Sequence, residues 1–268
     1  MALALGNGPL ARNPDAATTT ATVDGPPHLL WMQDVPSRLR VRFGGEIIAD
    51  TTRAVLLHET RQLPVYYLPR DDVRFDLLEP TDTSTHCPFK GDARYWTIRV
   101  GGRVSQDAVW GYDEPIEGAL DLRPYVALYF DRVDAWYEED ERLVGHARDP
   151  FHRIDVRRSS RHAVVRVDGQ VVAESAEPRL LFETGLPTRV YIPAHAWDSS
   201  VLTGSDRFSV CAYKGVASYH GVRVGDDEAG SLVWRYHEPL SDAAGVAGMI
   251  CAPQEHDRVE VTLDGEAL

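Results

Sequence analysis

The chain contains one sequence pattern twice, at a fixed offset of 124 residues. The segments THCPFKGDARYW and SVCAYKGVASYH, which begin at Thr85 and Ser209, both contain Cys-x-x-Lys-Gly-x-Ala-x-Tyr. The same offset holds without a gap from Val41 to Pro115, where about a third of the positions are identical to their counterparts. Self-similarity at one period indicates a duplicated structural unit. We therefore predict two homologous domains in tandem.

The limits of the repeat set the expected domain boundaries. We predict a disordered tail over residues 1–30, which are rich in Ala, Thr, Pro and Gly, a first domain over 31–140 and a second domain over 158–268. The charged and weakly periodic segment 141–157 is expected to be a linker. Like units commonly associate symmetrically, so we expect the two domains to pack as a pseudo-twofold pair within a monomer.

Each half has the pattern of a small β domain. The segment RLRVRFGGEIIAD alternates around Gly44 and Gly45, and its counterpart AVVRVDGQVVAES turns at Asp168 and Gly169. Such residue pairs favour tight β-hairpins. Glycine and proline recur at short intervals along both halves, which is typical of sandwiches and barrels. We predict a mainly β chain in which each domain is a small sandwich or barrel.

The composition excludes several classes of partner. A net charge of −13 repels phosphate backbones, so we expect no binding to nucleic acid. No apolar run approaches the length that spans a bilayer, and the first residues lack the basic and apolar regions of a secretory signal. The three cysteines, Cys87, Cys211 and Cys251, form no disulfide framework. The low cysteine count suits a reducing cytoplasm, and the lack of an apolar span indicates that the chain does not bind membranes. We expect its partner to be a small molecule.

The repeated lysine is the most informative residue of the pattern. Lys90 and Lys214 are the only lysines in the chain, and all other basic side chains apart from histidine are arginine. A partly buried lysine can lose its proton and act as a nucleophile or form a Schiff base, which an arginine cannot do. Alternatively, Lys90 pairs with Glu59, at the end of the apolar segment AVLLHE, and only joins two strands.

Other chemically active side chains recur at the same offset, and we expect them to converge on one concavity in each domain. Trp110 and Tyr112 alternate along a predicted strand and so share one face, where they either wall an apolar pocket or fill the core. The first copy is expected to be the active one, because His86 and Trp96 have no equivalent in the second. The predicted catalytic residues are Lys90, Glu59, Tyr67, Tyr95, Cys87 and His86, and the predicted ligand-binding residues are Trp110, Tyr112, Lys214, Glu183, Tyr191, Tyr219, Trp234 and Tyr236.

The segments VRFGGEIIADT, LLEPTDTSTHCPFKGDARYW, DAVWGYDEP and YVALYFDRVDAW resemble a bacterial and fungal family known as domain of unknown function 427. The resemblance covers nearly all of both halves. It implies a β-tent fold, similar to methionine sulfoxide reductase B and the thalidomide-binding domain of cereblon. It implies no established reaction, although the family sometimes carries a nucleotidyltransferase label.

The chain lacks the residues required for two properties that this resemblance suggests, structural zinc binding and nucleotidyl transfer. Structural zinc needs four converging nitrogen or sulfur ligands, but the chain has no Cys-x-x-Cys, and neither His58 nor His86 recurs in the second predicted domain. Nucleotidyl transfer usually requires Gly-Ser and a carboxylate pair that holds two metal ions. Gly-Ser occurs only in the second half, at Gly204 and Gly230, and no carboxylate pair recurs. We expect no metal and no cofactor.

Two functions remain open at this point. The first is an enzyme acting on a small molecule, in which Lys90 is the nucleophile or the acid–base group and Glu59 adjusts its reactivity. The second is a non-catalytic module in which an aromatic cage, together with Lys90 and Glu59, binds a small ligand. A structural or partner-binding domain is a third alternative, against which the repeated lysine argues.

Overall fold

The computed structural model describes residues 28–268. These residues divide into two compact units, of which the first ends at Phe151 and the second spans His152–Leu268. Each unit contains two antiparallel β-sheets, and none of the described sheets closes into a barrel. The prediction of a mainly β chain with two tandem domains is confirmed. No helix within residues 28–268 is long and apolar enough to cross a membrane.

The first unit builds a seven-stranded and a four-stranded sheet. The larger sheet has the order β1-β4-β5-β9-β8-β7-β6, and the smaller has the order β11-β10-β2-β3. Short 3-10 helices lie at Arg70–Asp72, Phe75–Leu77 and Phe130–Arg132. The strands are β1 (Leu30–Asp34), β2 (Leu39–Phe43), β3 (Glu46–Thr51), β4 (Val55–Glu59), β5 (Val65–Pro69), β6 (Leu78–Cys87), β7 (Gly91–Val100), β8 (Arg103–Gly111), β9 (Tyr125–Leu128), β10 (Ala135–Glu138) and β11 (Glu141–Leu143).

The second unit repeats this topology strand for strand. Its larger sheet has the order β12-β15-β16-β21-β20-β19-β17, with β18 also paired to β19, and its smaller sheet has the order β14-β13-β22-β23. The long strand β6 of the first unit is divided here into β17 and β18. Helices of the 3-10 type lie at Ala194–Ala196 and Ser241–Val246. The strands are β12 (Ile154–Arg158), β13 (Ala163–Val167), β14 (Gln170–Ser175), β15 (Arg179–Glu183), β16 (Arg189–Pro193), β17 (Leu202–Thr203), β18 (Phe208–Cys211), β19 (Gly215–Val224), β20 (Asp227–Tyr236), β21 (Met249–Cys251), β22 (Val259–Leu263) and β23 (Glu266–Ala267).

Two apolar layers flank the larger sheet of the first unit. The inner layer fills the space between the two sheets and includes Val41 from β2 and Leu56 from β4. Successive residues of a strand point to opposite faces, so Val55 and Leu57 belong instead to an outer layer. Glu59 continues this second row. The alternation of β4 therefore places the Glu59 carboxylate on the outer face of the larger sheet. The second unit has two equivalent layers.

The unit boundaries differ from the predicted ones. The Leu29 N–H donates to Thr60 Oγ1 at 2.9 Å, and β1 begins at Leu30. Residues 28–30 are thus part of the first unit rather than of a tail, and residues 1–27 lie outside the described residues. Strand β11 and four of the five residues of β12 lie within the segment 141–157, which was predicted to be a linker, and residues 144–153 between them contain no strand. The edge strands β1 and β12 were not predicted, because the repeat was followed only from Val41 onward and both strands precede that stretch or its counterpart.

Candidate functional site

The repeated Cys-x-x-Lys-Gly pattern forms the turn between β6 and β7. Cys87 is the last residue of β6, and Gly91 is the first residue of β7. Gly91 has φ +105°, and a Cβ at this position would lie 3.1 Å from the backbone oxygen of Glu114. Gly215 has φ +97° in the equivalent turn. Glycine adopts such values freely and other residues do so only with strain, which explains why a glycine follows the lysine in both copies.

Lys90 is held by both its side chain and its main chain. Its ammonium donates a hydrogen bond to Glu59 Oε2, and the exposed fractions of the two side chains are only 9% and 14%. The Lys90 carbonyl accepts a hydrogen bond from the Ile116 N–H at 3.2 Å. A buried charge is costly unless an opposite charge compensates it. The pairing of Lys90 with Glu59, one of the two interpretations from sequence, is therefore present in the fold.

A histidine that the sequence reasoning missed completes this arrangement. His28 Nε2 lies 3.0 Å from Glu59 Oε1, the oxygen that Lys90 does not use. A carboxylate only accepts hydrogen bonds, so Nε2 carries the proton and donates. The His28 ring stacks on Phe89 with centroids 3.6 Å apart and planes inclined by 8°. We call His28, Glu59 and Lys90 the charged triad of the first unit.

The second unit contains an equivalent triad. The Lys214 ammonium donates to Glu183 Oε2, and His152 Nε2 lies 3.0 Å from Glu183 Oε1. The His152 ring stacks on Tyr213 at a centroid distance of 4.0 Å. Burial raises the pKa of the Glu183 carboxyl, but the hydrogen bonds and charges of His152 and Lys214 outweigh this effect and hold that pKa below its ordinary value.

The two triads differ in their access to solvent. The Glu59 and His28 side chains are 14% and 20% exposed, whereas Glu183 and His152 are 6% and 7% exposed. His28 and His152 are themselves related by the 124-residue offset. Extending the repeat upstream of Val41 would have revealed this pair, but both histidines lie outside the predicted domains.

The triad of the first unit borders a concavity of about 590 Å³. Leu57, Leu63, Val65 and Phe89 give this concavity an apolar wall, and Cys87 also lines it. Small-molecule sites typically combine such a wall with a few convergent polar groups. The geometry therefore places a carboxylate, an ammonium and an imidazole beside an apolar surface that faces solvent.

The predicted aromatic residues lie on the same face of the sheet as Glu59, but they do not line this concavity. Tyr67, Tyr95 and Tyr112 are buried in the outer apolar layer. Trp110 is half-buried, and its ring lies 4.3 Å from that of Tyr129. The structure thus gathers Glu59, Cys87, His86 and Lys90 around the concavity and keeps the aromatic rings in the adjacent layer.

The outer layers of the two units contain four tyrosines whose phenols stay neutral at neutral pH, and three side-chain hydrogen bonds involve tyrosines of these layers. Burial is the main cause that raises the pKa of four phenols, those of Tyr67, Tyr112, Tyr191 and Tyr236. A phenol with a raised pKa is a poor proton donor near neutrality. The hydrogen bonds join Tyr95 Oη to Thr85 Oγ1 at 2.9 Å, Tyr219 Oη to Ser209 Oγ at 2.9 Å and Trp234 Nε1 to Tyr191 Oη at 3.2 Å.

The two residues that set the first copy apart in sequence have separate locations. His86 lines the concavity, its side chain is 66% exposed, and its Nδ1 lies 2.6 Å from Asp92 Oδ1. Trp96 is buried in the inner layer on the opposite face of the sheet, where the Arg70 guanidinium lies 5.3 Å from its ring. Of these two residues, therefore, only His86 lies where it can contribute to chemistry in the concavity.

Between residues 28 and 268, no group of three or more His, Cys, Asp or Glu side chains has a geometry suited to a metal ion.

Comparison with known protein families identifies the family to which both units belong. No curated protein matches the chain. A family model described as "Domain of unknown function (DUF427)" matches residues 31–139 and 155–265, so that each match begins three residues after a triad histidine. The chain therefore belongs to the DUF427 family and carries two copies of its domain.

Proposed function

We propose that the concavity beside the charged triad of the first unit binds a small polar molecule and does not convert it covalently. The observation that supports this most is the position of the triad, which borders a solvent-facing concavity with an apolar wall. In the second unit the glutamate and the histidine of the triad are more deeply buried than in the first, although Lys214 and Lys90 are similarly exposed, at 11% and 9%. We therefore assign binding to the first unit and a mainly structural role to the second triad.

The state of Lys90 favours binding over nucleophilic catalysis. An attacking amine must present a lone pair to its substrate, whereas the Lys90 nitrogen is held against the Glu59 carboxylate as one half of an ion pair. An ammonium has three donors, of which Glu59 takes one. The remaining donors suit a hydrogen-bond acceptor on the ligand, such as a carbonyl or carboxylate oxygen. An apolar part of the same ligand would pack against Leu57, Val65 and Phe89.

Ligand-observed NMR with mixtures of small amides, ketones and carboxylic acids tests this proposal. The Leu63→Trp variant would fill the mouth of the concavity, and Leu63 is 55% exposed, so the change should cost little stability. Leu186→Trp is the matched control, because Leu186 is a leucine of the second unit with nearly the same exposure, 53%. We expect compounds that bind the wild type to be lost with Leu63→Trp and retained with Leu186→Trp. Failure to find any binder, or equal loss in both variants, would refute the proposal.

A specific contact supports acid–base catalysis as the second candidate. Glu59 orients the His28 imidazole through Nε2, which leaves Nδ1 available to exchange a proton. Lys90 as a Schiff-base former is the related alternative. Borohydride trapping with simple aldehydes and keto acids, followed by peptide mass analysis, separates these cases. An adduct on Lys90 would overturn pure binding in favour of an enzyme.

Two broader inferences accompany this proposal. We infer a cytoplasmic location, which is supported by the free state of Cys87, Cys211 and Cys251. The resemblance to the β-tent group, which includes the thalidomide-binding domain of cereblon, also favours a ligand-binding module. Likeness of fold is a weak argument for function, so the contacts of the triad carry the proposal.

A further inference from the structure

The second unit has a concavity of its own. It lies at the end of β15 opposite to Glu183, the partner of Lys214. Strand β15 carries Glu183 at one end and Arg179 at the other, and Arg179 lines a groove of about 670 Å³. Arg158, at the end of β12, lines the same groove, together with His195 and Glu177. This groove is separate from the charged triad.

Arg158 and Arg179 form an uncompensated pair of like charges. They are directly opposite each other in the antiparallel register of β12 and β15. Among the described residues, no carboxylate lies within salt-bridge distance of either guanidinium, whereas the neighbouring Arg157 pairs with Asp155 at 3.4 Å. Like charges directly opposite on adjacent strands destabilise a sheet. Such a pair is stabilised when an anion bridges the two guanidinium groups.

The first unit has an equivalent groove, which can be compared with the groove of the second unit. Its equivalent groove has a volume of about 720 Å³, but Asp34 and Asp71 stand where the second unit has Arg158 and His195. The arginines of this groove are already engaged, since Arg53 pairs with Asp72 at 2.6 Å and Arg70 pairs with Asp113 at 2.5 Å. The fold therefore forms the groove in both units, and only the second unit gives it free positive charge.

We propose that the groove of the second unit binds a small oxyanion, the phosphate or carboxylate group of a small molecule. A guanidinium presents a planar set of donors that matches both groups. The His195 imidazole and the Ser160 hydroxyl line the same groove and add further donors. The Glu177 carboxylate opposes an anion and so limits its affinity. Binding of an anion offsets the repulsion between Arg158 and Arg179.

Calorimetric titration of the full chain with inorganic phosphate, and separately with acetate, tests this site. We expect Arg158→Gln and Arg179→Gln each to weaken phosphate binding by at least about tenfold, since hydrogen bonds to charged groups contribute more than this ratio requires. Arg157→Gln removes the same charge from the opposite face of β12 and should leave affinity unchanged. Tighter binding of phosphate than of acetate, lost in the same variants, assigns a phosphate group, and the reverse order assigns a carboxylate.

Thermal unfolding gives a second measurement that does not depend on the calorimetry. Phosphate should raise the Tm of the wild type but not that of Arg158→Gln, and without phosphate that variant should be at least as stable as the wild type because repulsion is relieved. Glu177→Gln should tighten binding. Absence of any phosphate binding at millimolar concentrations, or equal weakening by Arg157→Gln, would overturn the proposal.

Discussion

Replacing Lys214 by methionine would test whether the triads stabilise their units. The variant keeps the length and apolar part of the side chain but leaves the Glu183 carboxylate, which is 6% exposed, with His152 as its one remaining side-chain partner. Breaking a buried ion pair by removing one partner costs about 3–5 kcal/mol. For a unit of this size each kcal/mol corresponds to about 4 °C in Tm. We therefore expect the Tm of the second unit to fall by roughly 12–20 °C.

The pH dependence of this loss provides the decisive measurement. The folded-state pKa of Glu183 is lowered, so the stabilising effect of its ionised form is present above its ordinary value of 4.5 and is lost as the pH falls through the folded-state pKa. Differential scanning calorimetry from neutral to acidic pH should therefore show the gap between wild type and Lys214→Met closing as Glu183 is protonated. The double variant Lys214→Met with Glu183→Gln should recover much of the loss at neutral pH, since no unpaired charge remains.

Lys90→Met is the matched variant in the first unit. Because Glu59 is 14% exposed, water compensates its charge better, and we expect a smaller fall in Tm than for Lys214→Met. A loss below about 1 kcal/mol for Lys214→Met would be typical of a solvated surface pair. That result, or a gap that does not change with pH, would refute the view that the triads are buried charge networks.

Three further predictions concern the turn, the outer layer and the ligand site. Lys90→Arg should abolish ligand binding in the first unit, whereas Lys214→Arg should retain it; equal effects in NMR titrations would contradict our choice of domain. Trp234→Phe should destabilise the protein by about 1–3 kcal/mol in urea unfolding, because it leaves the Tyr191 hydroxyl buried without its donor. Gly91→Ala should destabilise the first unit by at least about 1 kcal/mol, since a side chain is strained at φ +105° and crowds the Glu114 carbonyl; calorimetry that shows no change would contradict this.

Much of the fold followed from periodicity alone. The alternation around Gly44 and Gly45 predicts the β2–β3 hairpin, and Asp168 and Gly169 predict the β13–β14 hairpin in the same way. The repeat persists where both units need the same residue: Gly91 and Gly215 have positive φ, the alanines two positions later are buried, and both turn lysines pair with a glutamate. Strand order and the division into two sheets could not be predicted, because they depend on which distant strands pair.

The candidate site was only partly accessible to sequence reasoning. Glu59 and Lys90 were predicted to pair as one of two alternatives, and they do. His28 was missed because it lies upstream of Val41, where the repeat was taken to begin, in a segment predicted to be a tail. Trp96 was selected for its sequence position, yet the pleat of β7 turns it to the opposite face from Tyr95. The depth of Lys90, whose side chain is only 9% exposed, could not be predicted either, because it depends on how the turn packs in the folded unit.

The placement of both lysines has a practical consequence for proteolysis. A protease specific for lysine has two possible cleavage points in these 268 residues, one after each triad ammonium. In the folded chain both peptide bonds lie in tight turns whose lysines are held by a carboxylate, so cleavage requires local opening of the site. The two cuts release fragments of different length. A single digestion time course therefore reports the opening free energy of each turn separately, and a ligand that occupies the first concavity would slow one cut and leave the other unchanged.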